Sequence, residues 1–415
     1  MTRGIGFLIA AQFVSGLADN ALLIVAMARL AELGQSAWLA PLLKAVFTLA
    51  YVLLAPFVGA LADRWPKARV MLVANGLKAL ACALMALAVD PLLAFALAGV
   101  GAAVYSPAKY GLVTELSPRD QLVHANGWLE VTTVGAIILG TALGGALVGP
   151  LLQWDAARAL GHALPVGTAL GAALLVVLGL YAVAGALNLL IPASGTPLHA
   201  MQASFSALLA RFGHAQRTLW RDALGSVSLG VTTLFWGAGA TLQFVVLAWA
   251  QHNLGLSLSG AAYLQGVVAI GIGVGALAAG RWVRLQQAPR VLALGVLMGL
   301  AVPLLTLVHS VPVAAPLLAT VGALAGFFVV PMNALLQHRG QQLLGAGESI
   351  AVQNFNENLC VLAMLGAYAG LQAAGWPLHR LAFGLGAFVA GGVGLVMWRY
   401  RKSQGHSLLL KEKQT

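Results

Sequence analysis

The chain has 415 residues, of which 60% are hydrophobic and only 8% charged, with a mean hydropathy of +0.88. A water-facing surface needs about a quarter charged residues, so a soluble globular protein is excluded and a polytopic helical membrane protein is implied. The formal net charge of +11 matches a nucleic-acid partner in sign alone, and the placement of the charges argues against one.

The first apolar stretch, from Ile5 to Leu30, is long enough to cross a hydrocarbon core of about 30 Å at about 1.5 Å per residue. It is too long for a cleavable leader and carries Asp19 and Asn20 in its middle. A carboxylate at that depth costs roughly 2.5–3.5 kcal/mol unless it faces protein or a water-filled cavity. Gln12, Ser15 and Gly16 share its helical face, so one side of the helix is polar. Two readings follow: Asp19 fixes helix packing, or it belongs to a transport site.

Charge, proline and tryptophan punctuate the rest into twelve spans. They cover 5–31, 39–62, 68–89, 91–112, 123–149 and 165–191, then 222–251, 259–283, 289–309, 312–336, 346–372 and 378–398. The division is a six-helix half over 1–191, a linker over 192–221, a second half over 222–400 and a basic tail over 401–415. The linker segment MQASFSALLARF is amphipathic and suits a membrane surface. With the N-terminus cytoplasmic, seventeen of the 23 Lys and Arg residues fall inside, and only Arg29, Arg158 and Arg380 fall near the outer ends. Lys44, Lys78 and Lys109 lie at or within spans. This bias places both termini in the cytoplasm and explains the positive charge by topology and anionic headgroups, with no nucleic acid. Cys82 and Cys360 both sit in apolar stretches and indicate neither a disulfide nor thiol chemistry.

The halves resemble each other. GALADRW from Gly59 ends span two, and GALAAGRW from Gly275 ends span eight. Spans four and ten each carry a proline at a similar place, and spans five and eleven contain ANGWLE from Ala125 and QNFNEN from Gln353. An internal parallel repeat of six plus six helices is the major facilitator plan, an all-α fold with pseudo-twofold symmetry and a site near the midplane between the halves; another twelve-span carrier fold is the minor alternative.

Gly59, Asp63, Arg64, Lys67 and Arg69 resemble the superfamily signature at the turn after span two. The glycine permits close helix approach, and Asp63 can hold basic groups or a helix N-terminus across a cytoplasmic gate. The plain alternative is a solvated turn that only serves topology. Further site candidates are Asn354 and four ionisable groups, Lys78, Lys109, Glu130 and Glu357, these four weighed evenly against snorkelling lysines and structural hydrogen-bond anchors. No acyltransferase His-x-x-x-x-Asp, phosphate loop or metal-ligand spacing is present, so neither an enzyme nor a cofactor is expected.

QFVSGLADNALLIVA, YVLLAPFVGALADRWPKARVM, GVGAAVYSPAKYGLVTEL, ANGWLE, LFWGAGATLQF, GFFVVPMNALLQHRG and AVQNFNEN together resemble the bacterial lysophospholipid transporters of the major facilitator superfamily. The resemblance runs from about Gln12 to Tyr400. It implies an inner-membrane carrier, expected as a monomer, that flips lysophospholipids, chiefly lysophosphatidylethanolamine, to the cytoplasmic leaflet by alternating access. There a separate acyltransferase–acyl-carrier-protein synthetase would restore the diacyl lipid; some relatives carry that enzyme fused, and a chain ending at Thr415 leaves no room for it. One position departs from the family: where it commonly has arginine, this chain has Gln243, which shifts the expected phosphate contact toward Lys109 or Lys78. A proton-coupled exporter of small hydrophobic compounds would also want an acid in span one, and a non-transporting scaffold would not need Asp19 at all.

Overall fold

The computed structural model describes residues 3–35, 39–149, 154–165, 167–196 and 204–412, with the side chains of 40–41, 156–157, 258–259 and 403–412 left aside. Part of the predicted linker, with His199, and the end of the predicted tail lie outside the described residues.

Every regular element among the described residues is helical. This is what a bilayer demands of a chain that must satisfy its own backbone. The elements are α1 (Arg3–Glu32), α2 (Leu39–Arg64), α3 (Lys67–Ala86), α4 (Pro91–Leu116), α5 (Leu122–Val148), α6 (Asp155–His162) and α7 (Leu170–Leu189). After these come α8 (Phe205–Arg221), α9 (Ala223–Asn253), α10 (Leu258–Trp282), α11 (Leu292–Ala301), α12 (Val311–Leu343), α13 (Ala346–Ala373) and α14 (Leu378–Glu412). Starts are specified locally. Asp90 accepts the amides of Leu92 and Leu93 ahead of Pro91, and Asp222 and Ser257 accept those of Gly225 and Gly260.

Among the described residues, eleven segments are long and apolar enough to cross a membrane. The predicted eleventh span, now α13, is a helix of 28 residues whose Gln353, Asn354, Asn356, Glu357 and Asn358 lower its hydropathy. The predicted ninth span differs from one regular helix: Leu285–Val291 and Val302–Leu307 wind as 3-10 segments on either side of α11. Pro289 and Pro303, which lack the amide hydrogen, lie in those segments.

The chain forms two compact units. The first holds residues 1–118, 132–213 and 345–355; the second holds 119–131, 214–344 and 356–415. In the first unit α1, α3, α4 and α7 close around Leu22, Val25, Cys82, Met85, Phe95, Leu174 and Tyr181. In the second unit α10 and α12 are packed backbone to backbone. A Cβ on Gly271 or Gly275 would strike the carbonyls of Ala319 or Ala323, and one on Gly322 or Gly326 would strike those of Val268 or Ile272. Glycines four apart on both helices are the small-residue seam that permits such an approach in lipid, where the hydrophobic effect does not drive helices together.

Candidate functional site

The polar face predicted on the first span is real, and it is answered by α3 and α7. Asp19 lies in mid-α1, and the Lys78 ammonium is 2.7 Å from its Oδ2. Tyr181 on α7 donates its hydroxyl to Oδ1 at 2.9 Å. Lys78 also donates to Ser15 Oγ at 3.1 Å, and Ser15 in turn donates to Asn75 Oδ1 at 2.7 Å. The lysine is 1% exposed and lies 4.9 Å from the Tyr105 ring centroid and 6.0 Å from that of Tyr181. It does not snorkel to an interface; an acid, a hydroxyl and two aromatic faces hold it in the interior. Asn75 and Lys78 share a helical face one turn apart, as do Ser15 and Asp19, so two short polar stripes meet and satisfy each other. The Asp19 side chain is the open member, at 20% exposure against 2% for Lys78. A ligand reaching this cluster meets the carboxylate first.

The other predicted residues are spread over both units. Asn20 donates to the Gly16 carbonyl of its own helix. In the first unit Asn354, near the start of α13, donates to Ser106 of α4 at 2.9 Å, and Lys109 lies 4.1 Å from the Tyr110 ring centroid. In the second unit Glu130 and Glu357 are buried, while Gln243 is exposed and its backbone carbonyl accepts from Gln265.

A second cluster stands at the end of α2. Asp63 is buried and accepts the backbone amides of Gly347 at 2.8 Å and Glu348 at 2.9 Å, so it caps the first turn of α13. Lys67 lies 3.3 Å from Asp63 and 2.6 Å from Glu115, whose side chain is 2% exposed. Glu348 receives a two-point contact from Arg211 of α8, both bonds 2.9 Å long. That hydrogen bond and the charge beside it hold the guanidinium above its ordinary value despite partial burial. Three carboxylates thus face two cations, and the positive end of α13 offsets the remainder. Gly59 is required here: a Cβ would come within 2.9 Å of the Glu348 backbone and of Ala351. Arg64 and Arg69 are exposed.

Sequence reasoning did not name Asn75, Tyr105, Tyr181, Glu115 or Glu348 as partners. The signal available was pairing: a lysine or an acid inside a span implies a counter-group on another one.

Eleven long apolar segments, an ion pair inside a membrane helix bundle and a capped helix at the basic turn after α2 define a multi-pass membrane transporter. The family model of the Major Facilitator Superfamily matches residues 8–356. A protein named lysophospholipid transporter LplT from Enterobacter sp. (strain 638) is 41% identical over 403 residues, 97% of each chain. One of the same name from Yersinia enterocolitica is 42% identical over 379 residues, covering 91% of this chain and 89% of its own. Among solved structures, a bacterial homologue of the iron transporter ferroportin in an outward-facing state matches with a TM-score of 0.71 at 16% identity, over 97% of this chain and all of that one. The transporter FucP in its outward conformation matches with a TM-score of 0.71 at 17% identity, over 96% and 97% of the two chains. The chain belongs to the Major Facilitator Superfamily and, within it, to the family of these lysophospholipid transporters. It is a transporter and not an enzyme.

Proposed function

We propose that the protein carries lysophospholipids, chiefly lysophosphatidylethanolamine, to the cytoplasmic leaflet of a bacterial inner membrane, and that it does so by exchanging ion pairs. The observation that carries this reading is the Asp19–Lys78 pair, buried on its lysine side and open on its carboxylate side. A zwitterionic headgroup can take both partners at once: its amine replaces Lys78 at Asp19, and its phosphate takes the ammonium released. The buried charges then exchange one partner for another, and neither is left alone at a cost of several kcal/mol. The names of the relatives support the substrate class.

The remaining assignments belong to the same proposal. Asn20, Lys109, Glu130, Gln243, Asn354 and Glu357 line the headgroup path, and Gly59, Asp63, Arg64, Lys67 and Arg69 form the gate. Residues 1–191 and 222–400 are the moving halves of an alternating-access cycle, with both termini and the 401–415 tail cytoplasmic. The protein acts as a monomer and delivers its cargo to a separate acyltransferase–acyl-carrier-protein synthetase.

The test is transport by the reconstituted Asp19→Asn protein. Removing a charge-assisted bond to the amine costs on the order of 1.5–3 kcal/mol, so uptake of lysophosphatidylethanolamine should fall about ten- to hundredfold. Lysophosphatidylglycerol, which has no amine, should lose less. Equal loss for both headgroups would make Asp19 a packing residue, and no loss for either would remove it from the site.

A further inference from the structure

The linker helix α8 contains Arg211, His214, Arg217 and Arg221 and no acid. It has three distinct edges. One is buried: Ala215 and Leu219 are covered, Arg211 grips Glu348, Phe212 packs edge-on against Phe355 at 5.3 Å, and Gln216 accepts from Asn356 at 2.9 Å. The second is apolar and exposed, made by Phe205, Leu209 and Trp220. The third carries His214, Arg217 and Arg221, all exposed and spaced three and four residues apart, so they form one stripe.

The apolar edge gives the depth of the helix. Phe205 stacks on Phe57 at 5.2 Å between ring centroids, and Phe57 lies seven residues before the end of α2 at Arg64. At the other end a Cβ on Gly230 would lie 3.6 Å from the Trp220 ring, and Gly230 is the eighth residue of α9. Both aromatic rings therefore sit about 10 Å inside the ends of spanning helices, at about 1.5 Å of rise per residue. An amphipathic helix resting in the headgroup layer reaches about that depth with its apolar face. The carboxylate next to this end of α8, that of Asp222, is already bound by Arg339 at 2.6 Å. Nothing acidic on α8 itself neutralises the basic stripe.

We propose that α8 is an interfacial helix whose Arg217 and Arg221 bind the headgroups of anionic phospholipids in the surrounding bilayer. Lipid is the occupant that suits it because the stripe lies alongside aromatic rings set about 10 Å inside the ends of spanning helices. A free anion would use the arginines and leave the apolar edge without a role.

The intact protein is reconstituted in phosphatidylcholine vesicles containing a trace of spin-labelled phosphatidylglycerol or spin-labelled phosphatidylcholine, and the motionally restricted fraction of each is compared. The parent should select phosphatidylglycerol, and the R217Q/R221Q protein should lose that selectivity by about fivefold for each arginine, the effect of one basic residue at an anionic surface. R217K/R221K should keep it, which shows that the helix still folds. R119Q/R290Q, which removes two exposed arginines elsewhere, should change it less than twofold, and millimolar inorganic phosphate should not displace the lipid. Undiminished selectivity in R217Q/R221Q, equal loss in R119Q/R290Q, or displacement by phosphate would each overturn the proposal. The readout is the same for either orientation in the vesicle and needs no substrate, so it stands apart from the topology and the cargo proposed above.

Discussion

The two copies of the repeated segment that ends α2 and α10 do the same packing job with different chemistry. In each, a helix start from elsewhere in the chain lies against the segment so closely that glycine is needed. A Cβ on Gly59 would strike the Glu348 backbone of α13, and one on Gly127 of α5 would come within 2.7 Å of the Ala276 carbonyl of α10. At the first copy the contact is charged: Asp63, Lys67, Glu115, Glu348 and Arg211 surround the amides of α13. At the second, where Asp63 has no counterpart, an amide pair stands instead. Asn126 and Gln337 exchange two hydrogen bonds of 2.9 and 2.8 Å. The backbone fit is common to both copies, and the side chains around it differ. The first contact therefore depends on carboxylates that must keep their cations and amides, and the second on two amides that satisfy each other.

Substitution at Asp63 should break the comparison most severely. Asp63→Ala leaves the two buried amides of Gly347 and Glu348 without their acceptor, at about 1–3 kcal/mol each, and leaves Lys67 with Glu115 alone. Hydrogen exchange at Gly347 and Glu348 should accelerate by two orders of magnitude or more, while lysolipid affinity stays within a few-fold. Unchanged exchange would show that Asp63 does not hold the start of α13.

At the second copy the expected effect is smaller and has a different signature. Asn126→Leu or Gln337→Leu alone strands one buried amide and should cost about 1–3 kcal/mol, whereas the double variant should cost less than the two losses combined. A double-mutant cycle on thermal unfolding in detergent measures this. Strict additivity would show that the two amides do not support each other.

The smallest effect should come from the ion pair beside the second copy, where Arg339 on α12 holds Asp222 at the start of α9. Burial raises the Asp222 carboxyl, but the Arg339 hydrogen bond and the backbone amides of Gly225 and Leu224 outweigh it and hold the group below its ordinary 3.8. A depressed carboxyl stabilises the fold at pH values above 3.8, and the contribution disappears as pH falls through the folded value. The unfolding temperatures of the parent and Asp222→Asn proteins should therefore differ modestly at pH 7 and converge below pH 3.8. A gap that widens on acidification would contradict the assignment. Both side chains are partly exposed, so the gap itself should be small.

The spans were legible in the sequence because hydropathy and charge placement are local properties. So was the charge cluster of the Gly59–Arg69 turn, since its acid and bases lie within one stretch. Partners were not legible. Nothing near Lys78 in the sequence points to Asp19, which is 59 residues away, and Tyr181 sits in a span with few other polar groups. Arg211 reads as a surface arginine, and only the fold sets Glu348 beside it. Pairing across helices depends on which faces meet, and in apolar helices the faces carry too little contrast for periodicity to fix them. α13 shows the reverse case: its amides look too many for a span, and among them Asn354 and Asn356 answer polar groups on α4 and α8.

The glycine seam between α10 and α12 has a mechanical consequence. Two helices separated by a cushion of leucines can slide or roll, because side chains change rotamer as they pass. Here peptide carbonyls sit directly against α-carbons at four places along the seam. Peptides have no rotamers to offer. Moving one helix along the other by a single residue, about 1.5 Å, would drive a carbonyl into a neighbour that cannot swing aside. The two helices are therefore geared together, and a force applied to either one is felt as torque and translation by both.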